Sequence, residues 1–223
     1  MTALAGKVAL AARRADRLTA LAQRIESVGG KALALAADMT VAAEAQSVVE
    51  QTVSRLGKLD VLINSAGVIQ AGGVENCDLE EYRSVFDINL FATLYTCKAA
   101  IPHMLAGGGD IITISSLAAR KGGAFTNAYA ASKHAVNSMT DAMRQELGGR
   151  NIRVSILMPG ATKTEVAENI SDPKFRDAIR AHVGKEGAVL PSEVADTVVF
   201  MLSLPRRVII SEISIRPTID TTA

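Results

Sequence analysis

Tryptophan is absent from this 223-residue chain, and aromatic residues make up only 4% of it. The two cysteines, Cys77 and Cys97, are too few for a disulfide framework, and no Cys/His spacing suits zinc. An excess of charge is lacking too. The 24 basic and 23 acidic residues leave a formal net charge of +1, which gives no footprint for nucleic acid or an anionic membrane. No apolar run approaches a bilayer span, and Met1–Lys7 lacks the apolar core of a secretory leader. These absences lead to the expectation of a cytoplasmic protein. Hydrophobic residues, at 48%, are in contrast ample for a buried core, and the length fits one domain over residues 1–223. Small residues, alanine above all, suit close helix–sheet packing.

Two periodicities alternate along the chain. Short apolar runs at Lys31–Ala37, Leu59–Ile63, Asp110–Ile114, Ile152–Leu157 and Val208–Ile213 fit strands buried on both faces. Longer segments between them have helical spacing. Thr40, or the residue just before it, caps a helix running to about Leu56. Glu80 to about Leu105 reads as one long helix, and Asn127–Leu147 as another, stopped by Gly148 and Gly149. Ser192–Leu204 begins with a capping serine, preceded by proline and followed by glutamate. Strand–helix alternation predicts an α/β fold, a doubly wound parallel sheet between two helix layers. Ligands bind beyond the carboxyl ends of such strands. Small, polar and glycine residues follow three of them, as Asn64-Ser65-Ala66-Gly67, Ser115-Ser116 and Met158-Pro159-Gly160.

Tyr129 and Lys133 lie four apart on a predicted helix and share a face. Alone, such a pair is an ordinary helix surface. Ser116, thirteen residues earlier at a strand end, can reach the tyrosine across the crossover. Asn89, in Asp87-Ile88-Asn89-Leu90, stands in an otherwise apolar stretch and by itself suits a satisfied core amide.

Together, Asn64-Ser65-Ala66-Gly67, Asn89, Ser116, Tyr129-x-x-x-Lys133 and Pro159-Gly160 resemble the short-chain dehydrogenase/reductase family, in order and spacing, over nearly the whole chain. The resemblance implies a Rossmann-type fold and hydride exchange between a nicotinamide cofactor and a small or medium alcohol or ketone. It implies Tyr129 as acid/base, Ser116 holding the substrate oxygen, Lys133 on the nicotinamide ribose, and Asn89 in a water-linked proton path. A neighbouring ammonium lowers a phenol's pKa, so Lys133 is expected to favour the Tyr129 phenolate. By the same resemblance the cofactor contacts include Asn64, Ala66, Gly67, Tyr129, Lys133, Pro159, Gly160, Thr162 and Thr164, with Asp38 at the adenine. Asp38 also suits a cap for the next helix. Ala12 stands at the family's acidic ribose position, and Arg13 and Arg14 follow it. This favours NADP(H) over NAD(H), although two arginines also suit the start of a solvated helix. The resemblance further implies a homodimer or homotetramer joined through Glu80–Leu105 and Asn127–Leu147, and a substrate lid at 165–190. In the lid, Val166, Phe175, Ile179 and Val183 are apolar contacts or anchors. The tail Ile213-Ser214-Ile215-Arg216-Pro217-Thr218 is similar to the clavulanate-type and hydroxy-acid dehydrogenase branch.

One family feature is missing. None of the 17 glycines forms a glycine-rich phosphate turn between a first strand and its helix. Lys7-Val8-Ala9-Leu10 runs straight into Ala11-Ala12-Arg13-Arg14, and Val8-Ala9-Leu10 suits either the first or the second strand of the family pattern. A strand end, turn, helix and strand start need about 20–25 residues, placed by the pattern between about residues 8 and 11. A chain truly without them is expected to be a non-catalytic binding or scaffold protein on the same fold. Ser65, where the family often carries a second asparagine, is a smaller departure.

Overall fold

The computed structural model describes residues 6–184 and 187–220. Residues 1–5, 185–186 and 221–223 lie outside that description, and with them most of the Met1–Lys7 stretch and part of the 165–190 segment. The fold is a Rossmann-like parallel α/β sheet with flanking helices. In chain order the strands are β1 (Lys7–Ala12), β2 (Lys31–Ala36), β3 (Val61–Asn64), β4 (Gly109–Ile114), β5 (Ile152–Pro159) and β6 (Glu212–Ile215). The helices are α1 (Ala15–Ser27), α2 (Ala42–Leu56), α3 (Leu79–Phe86), α4 (Ala92–Met104), α5 (Asn127–Leu147), α6 (Pro173–Val183) and α7 (Pro191–Ser203).

Alternation along β4 sorts the layers. Ile111 packs with Ala100, Met104 and Leu147, from α4 and α5, whereas its neighbour Ile112 packs with Val198 and Met201 of α7. Successive strand residues point to opposite faces, so α7 lies on the face away from α4 and α5. β5 is buried from end to end, as a central parallel strand must be.

The sheet is not continuous. Every pairing is parallel, but β1 pairs only with β2, and the order β3-β4-β5-β6 forms a separate set. Val8-Ala9-Leu10 lies in β1, level with Ala32-Leu33-Ala34 of β2. No strand among the described residues joins β1 to β3.

Several elements differ from expectation. The long helix is interrupted by a π-turn at Asp87–Phe91, between α3 and α4. The last strand is β6 at Glu212–Ile215; Val208 and Ile209 precede it as exposed coil, because β5 offers its register partners only from Ile156 to Pro159. Helix α5 does end at Leu147 with Gly148 as its C-cap, but the chain continues through a short 3-10 turn at Gly148–Arg150, and the left-handed residue is Asn151 (φ 59°). Leu190, not Ser192, is the N-cap of α7; proline takes the first helical position and the Glu193 carboxylate accepts from the Leu190 N–H at 2.7 Å. Val41 is the N-cap of α2, and Asp38 instead closes a turn onto Thr40.

Candidate functional site

The carboxyl ends of β3, β4 and β5 come level through the sheet register, which pairs Asn64 with Thr113 and Ile114 with Leu157. A cleft of about 2240 Å³ opens there and continues between β1 and β3. Ser116, Tyr129, Lys133, Asn64, Ala66, Gly67, Pro159, Gly160, Thr162 and Thr164 line it, and so do Arg13, Arg14 and Asp38 at its far end. Asn89 does not line it but stands behind the wall, 1% exposed.

Helix α5 carries Tyr129 and Lys133 one turn apart, and the Lys133 Nζ lies 5.8 Å from the tyrosine ring centroid. Lys133 is 5% exposed and donates to the Ile114 carbonyl at 3.0 Å, which fixes it under the end of β4. Burial draws its pKa down to about 8. Burial also pushes the Tyr129 phenol above its ordinary value, while a hydrogen bond with the Ser116 side chain pulls the other way. The expected lowering by Lys133 is absent, and desolvation leaves Tyr129 as the neutral phenol. Ser116 is fixed by its own turn, where its hydroxyl accepts from the Ala118 N–H at 3.2 Å. The adjacent Ser115 hydroxyl borders the cleft, buried and without a protein partner among the described residues.

Asn89 sits in the π-turn, which accommodates one extra residue per turn and re-aims the side chain. Its Oδ1 accepts from the Val68 N–H at 2.9 Å, and its Nδ2 donates to the Val68 carbonyl at 3.0 Å and to the Ser132 hydroxyl at 2.9 Å. Ser132 in turn donates to the Tyr129 carbonyl at 2.8 Å. Asn89 therefore clamps the loop after β3 onto the tyrosine's helix. A Cβ on Gly67 would lie 3.4 Å from the Asn89 Oδ1 and 3.5 Å from the Lys133 Nζ, so the loop lies close against both. The Asn64 side chain is already engaged by α4: its Oδ1 accepts from Thr96 at 2.6 Å and its Nδ2 contacts the Cys97 sulfur at 3.3 Å. Only its backbone remains for a ligand.

Opposite, Gly160 donates from its N–H to the Ile215 carbonyl at 2.8 Å, and a Cβ there would press on Arg216 and Leu117 at 3.2 Å. Thr162 donates to the Gly160 carbonyl at 2.9 Å, and the Thr164 hydroxyl accepts from the Val166 N–H at 3.4 Å. The expected lid contains α6. Val166, Phe175 and Ile179 pack, as Tyr129 does, against the buried cluster of Ile69, Ala71, Ala167 and Ile170. Val183 is buried. At the far end the Asp38 Oδ1 accepts from the Thr40 N–H at 2.9 Å and the Thr40 hydroxyl at 2.7 Å, which lowers its pKa.

Sequence reasoning missed four partners. Ser132, next to Lys133, could have been suspected from its place one turn below Asn89's helix contact only with the fold in hand. Thr96 and Cys97 had no signal beyond helical spacing. Glu165, the first lid residue, accepts from Arg17 at 2.7 Å and from Arg14 at 3.4 Å, across about 150 residues of chain. Arg17 holds the Glu165 carboxyl below its usual range.

A dinucleotide can be tested against this cleft. A buried ammonium beside a phenol suits ribose hydroxyls, and Arg13 and Arg14 suit a phosphate at the other end. The middle does not fit. β1 passes to α1 through Arg13 and Arg14 with no glycine turn, so the described chain offers no backbone cradle for the diphosphate. Among the described residues no acidic, His or Cys cluster could hold a metal, and no helix is long and apolar enough to cross a membrane.

The family profile described as short chain dehydrogenase matches residues 1–174. Ketoacyl reductase HetN of Nostoc sp. is 35% identical over 196 residues, covering 86% of this chain and 65% of that protein. Glycine betaine reductase ATRR of Emericella nidulans is 32% identical over 213 residues, 94% of this chain but only 16% of that protein. The chain thus spans less than two thirds of either relative. Among solved structures, the closed form of serine dehydrogenase complexed with NADP+ superposes with a TM-score of 0.88 at 25% identity, over 98% of this chain and 88% of that one.

Proposed function

Because the chain belongs to the short-chain dehydrogenase family, we propose that it is an NADP(H)-dependent oxidoreductase acting on a small or medium alcohol or ketone. The observation that carries this reading is the contact set of Ser116, Tyr129 and Lys133 at one edge of the sheet. Serine dehydrogenase's complex with NADP+ supports the choice of cofactor, as do Arg13 and Arg14.

A nicotinamide cofactor, when bound, supplies or accepts the hydride. The chain's own residues handle the proton. In reduction, the buried Tyr129 phenol donates its proton to the substrate oxygen as negative charge develops there. The Ser116 hydroxyl, already bonded to Tyr129, donates to the same oxygen and holds it in place. Lys133, charged at neutral pH, stabilises the phenolate left behind. In oxidation, the same groups run in reverse. Lid residues Val166 and Ile179 exclude water from the tyrosine's side. The exposed Phe91 of the π-turn and Leu94 of α4 support a dimer or tetramer joined through Glu80–Leu105 and Asn127–Leu147; sedimentation as a monomer would reject it.

Tyr129→Phe is expected to lower turnover by about 10²–10⁴-fold while leaving NADPH binding intact. Unchanged turnover of a ketone panel would refute the assignment. A second reading, a binding or scaffold protein without turnover, is favoured by the glycine-free passage from β1 to α1. NADPH titration followed by nucleotide fluorescence separates the two.

A further inference from the structure

Phe175, Ile179 and Val183 recur every fourth residue along α6 and so share one face, while Lys174, Asp177 and Arg180 are exposed. Ile179 and Val183 line the cleft; Phe175, one turn nearer the helix start, does not. At that turn Phe175 meets Phe125, their ring centroids 5.2 Å apart and their planes tilted by 36°. Phe125 belongs to the loop between β4 and α5. Its neighbours Gly123 and Thr126 line the cleft, and Phe125 does not. The two rings thus meet where the lining from the loop and the lining from the helix both run out. Backbone bonds fix both rings. Asp172 caps α6, accepting from the Lys174 N–H at 2.8 Å and the Phe175 N–H at 3.3 Å. The Gly72 N–H donates to the Phe125 carbonyl at 2.8 Å, and the Asn127 amide donates to the Gly72 carbonyl at 2.9 Å.

We propose that the Phe125–Phe175 pair is the end wall of the substrate pocket and sets how long a substituent the pocket admits. Tyr129 and Phe175 pack against the same buried cluster, so the reacting end and the wall border one chamber. Its side chains there are apolar: Ile69, Val166, Ile179 and Val183 line the cleft. Lys121, Glu168 and His182 line it too, but they are exposed, at its rim. Glu168 is already held by Arg180 at 2.9 Å, and Arg120 by Glu212 at 2.9 Å. The substrates are accordingly uncharged ketones or alcohols with an apolar arm of limited length. Each methylene buried along the arm adds about fourfold in affinity until the wall is reached. Beyond it the arm must displace a ring whose backbone is tied down. The substrate class rests on the oxidoreductase reading; the wall does not.

Phe125 is the residue to truncate, because it is 57% exposed and its loss leaves the core intact. Straight-chain methyl ketones from butanone to decanone, assayed with NADPH, are expected to gain in kcat/KM with length and then fall past a limit. Phe125→Ala is expected to raise the ratio of kcat/KM beyond that limit to kcat/KM at it by about tenfold or more, since overpacking is relieved. A substitution that only loosened the lid would lower every length alike and leave the ratio unchanged, and that result overturns the proposal. A keto acid with its carboxylate at the end of the arm is expected to be about tenfold poorer, or worse, than the ketone of equal length. Equal or better turnover of the keto acid overturns the uncharged class. The same ketones displacing N-phenyl-1-naphthylamine, an uncharged fluorescent probe, from the cofactor-free chain read the wall without turnover. A length limit that Phe125→Ala moves in that assay, with no ketone turned over, upholds the wall and removes the oxidoreductase reading. No limit, or one that the variant leaves in place, overturns the wall whether or not ketones turn over.

Discussion

Replacing Lys133 with methionine is expected to make the protein more stable while abolishing turnover. The side chain is almost wholly buried and its pKa falls to about 8 from an ordinary 10.5. The folded state therefore holds fewer protons than the unfolded state between those values. Stability rises with pH across that window, and the full destabilisation is present below pH 8. At about 1.4 kcal/mol per unit, the buried ammonium costs about 3 kcal/mol at pH 7. Methionine removes that cost and keeps the volume, but leaves the Ile114 carbonyl without its donor, a loss of about 1 kcal/mol. The net gain at pH 7 is about 2 kcal/mol, or about 4–8 °C in Tm for a chain of this size. Urea denaturation of wild type and Lys133→Met at pH 7, 8, 9 and 10 checks both size and sign. The gap between the two proteins should shrink toward pH 10. Tyr129 does not mask this, because a raised phenol pKa acts only above pH 10, where it lowers stability. A variant no more stable than wild type at pH 7, or a gap that is flat with pH, would refute the reasoning.

Two further outcomes test the packing around the site. Asp110 accepts from Arg153 at 2.5 Å and from Arg206 at 2.6 Å at the amino end of β4; Asp110→Ala strands a buried guanidinium and should cost about 3–5 kcal/mol in denaturant unfolding, with a loss under about 1 kcal/mol counting against it. Cys97, buried and pushed up to about 12, should stay unreactive toward a thiol reagent at pH 8 while half-buried Cys77 reacts, so one thiol titrates in the native protein and two after denaturation.

Strands were legible in the sequence where an apolar run is too short for a helix core and is bounded by polar or glycine residues. Lys31–Ala36 and Gly109–Ile114 fall within a residue of the apolar runs that announce them. The last strand slid from Val208–Ile213 to Glu212–Ile215 because register is set by β5, and hydropathy alone carries no register. The π-turn at Asp87–Phe91 was illegible for a similar reason: an apolar stretch around one asparagine reads as continuous helix, and only the bonds from Asn89 to Val68 and Ser132 require the extra residue. Ser116, Tyr129 and Lys133 were found together because a crossover from a strand end into the next helix brings such spacings to one edge. What that spacing could not carry is desolvation, which decides that Tyr129 rests as phenol and that Lys133 titrates near 8.

The two halves of the cleft therefore have different standing in physics. At one end, the side chains around the tyrosine have defined partners: Lys133 has Ile114, Tyr129 has Ser116, and Asn89 has Val68 and Ser132. Such a site is preorganised before any ligand arrives, and its hydrogen bonds cost little further reorganisation. At the other end, Arg14 and Arg17 hold Glu165 in exposed ion pairs, which are individually weak and screened by salt. A phosphate arriving there must displace Glu165, at the start of the lid, so ligand capture at Arg14 loosens the lid segment's hold on α1. Coupling of this kind is reciprocal: whatever frees Glu165 must raise the affinity of the arginines for phosphate by the same factor. Glu165→Gln should accordingly tighten NADPH more than NADH, and a variant that tightens both equally would show that Glu165 does not compete with the 2′-phosphate.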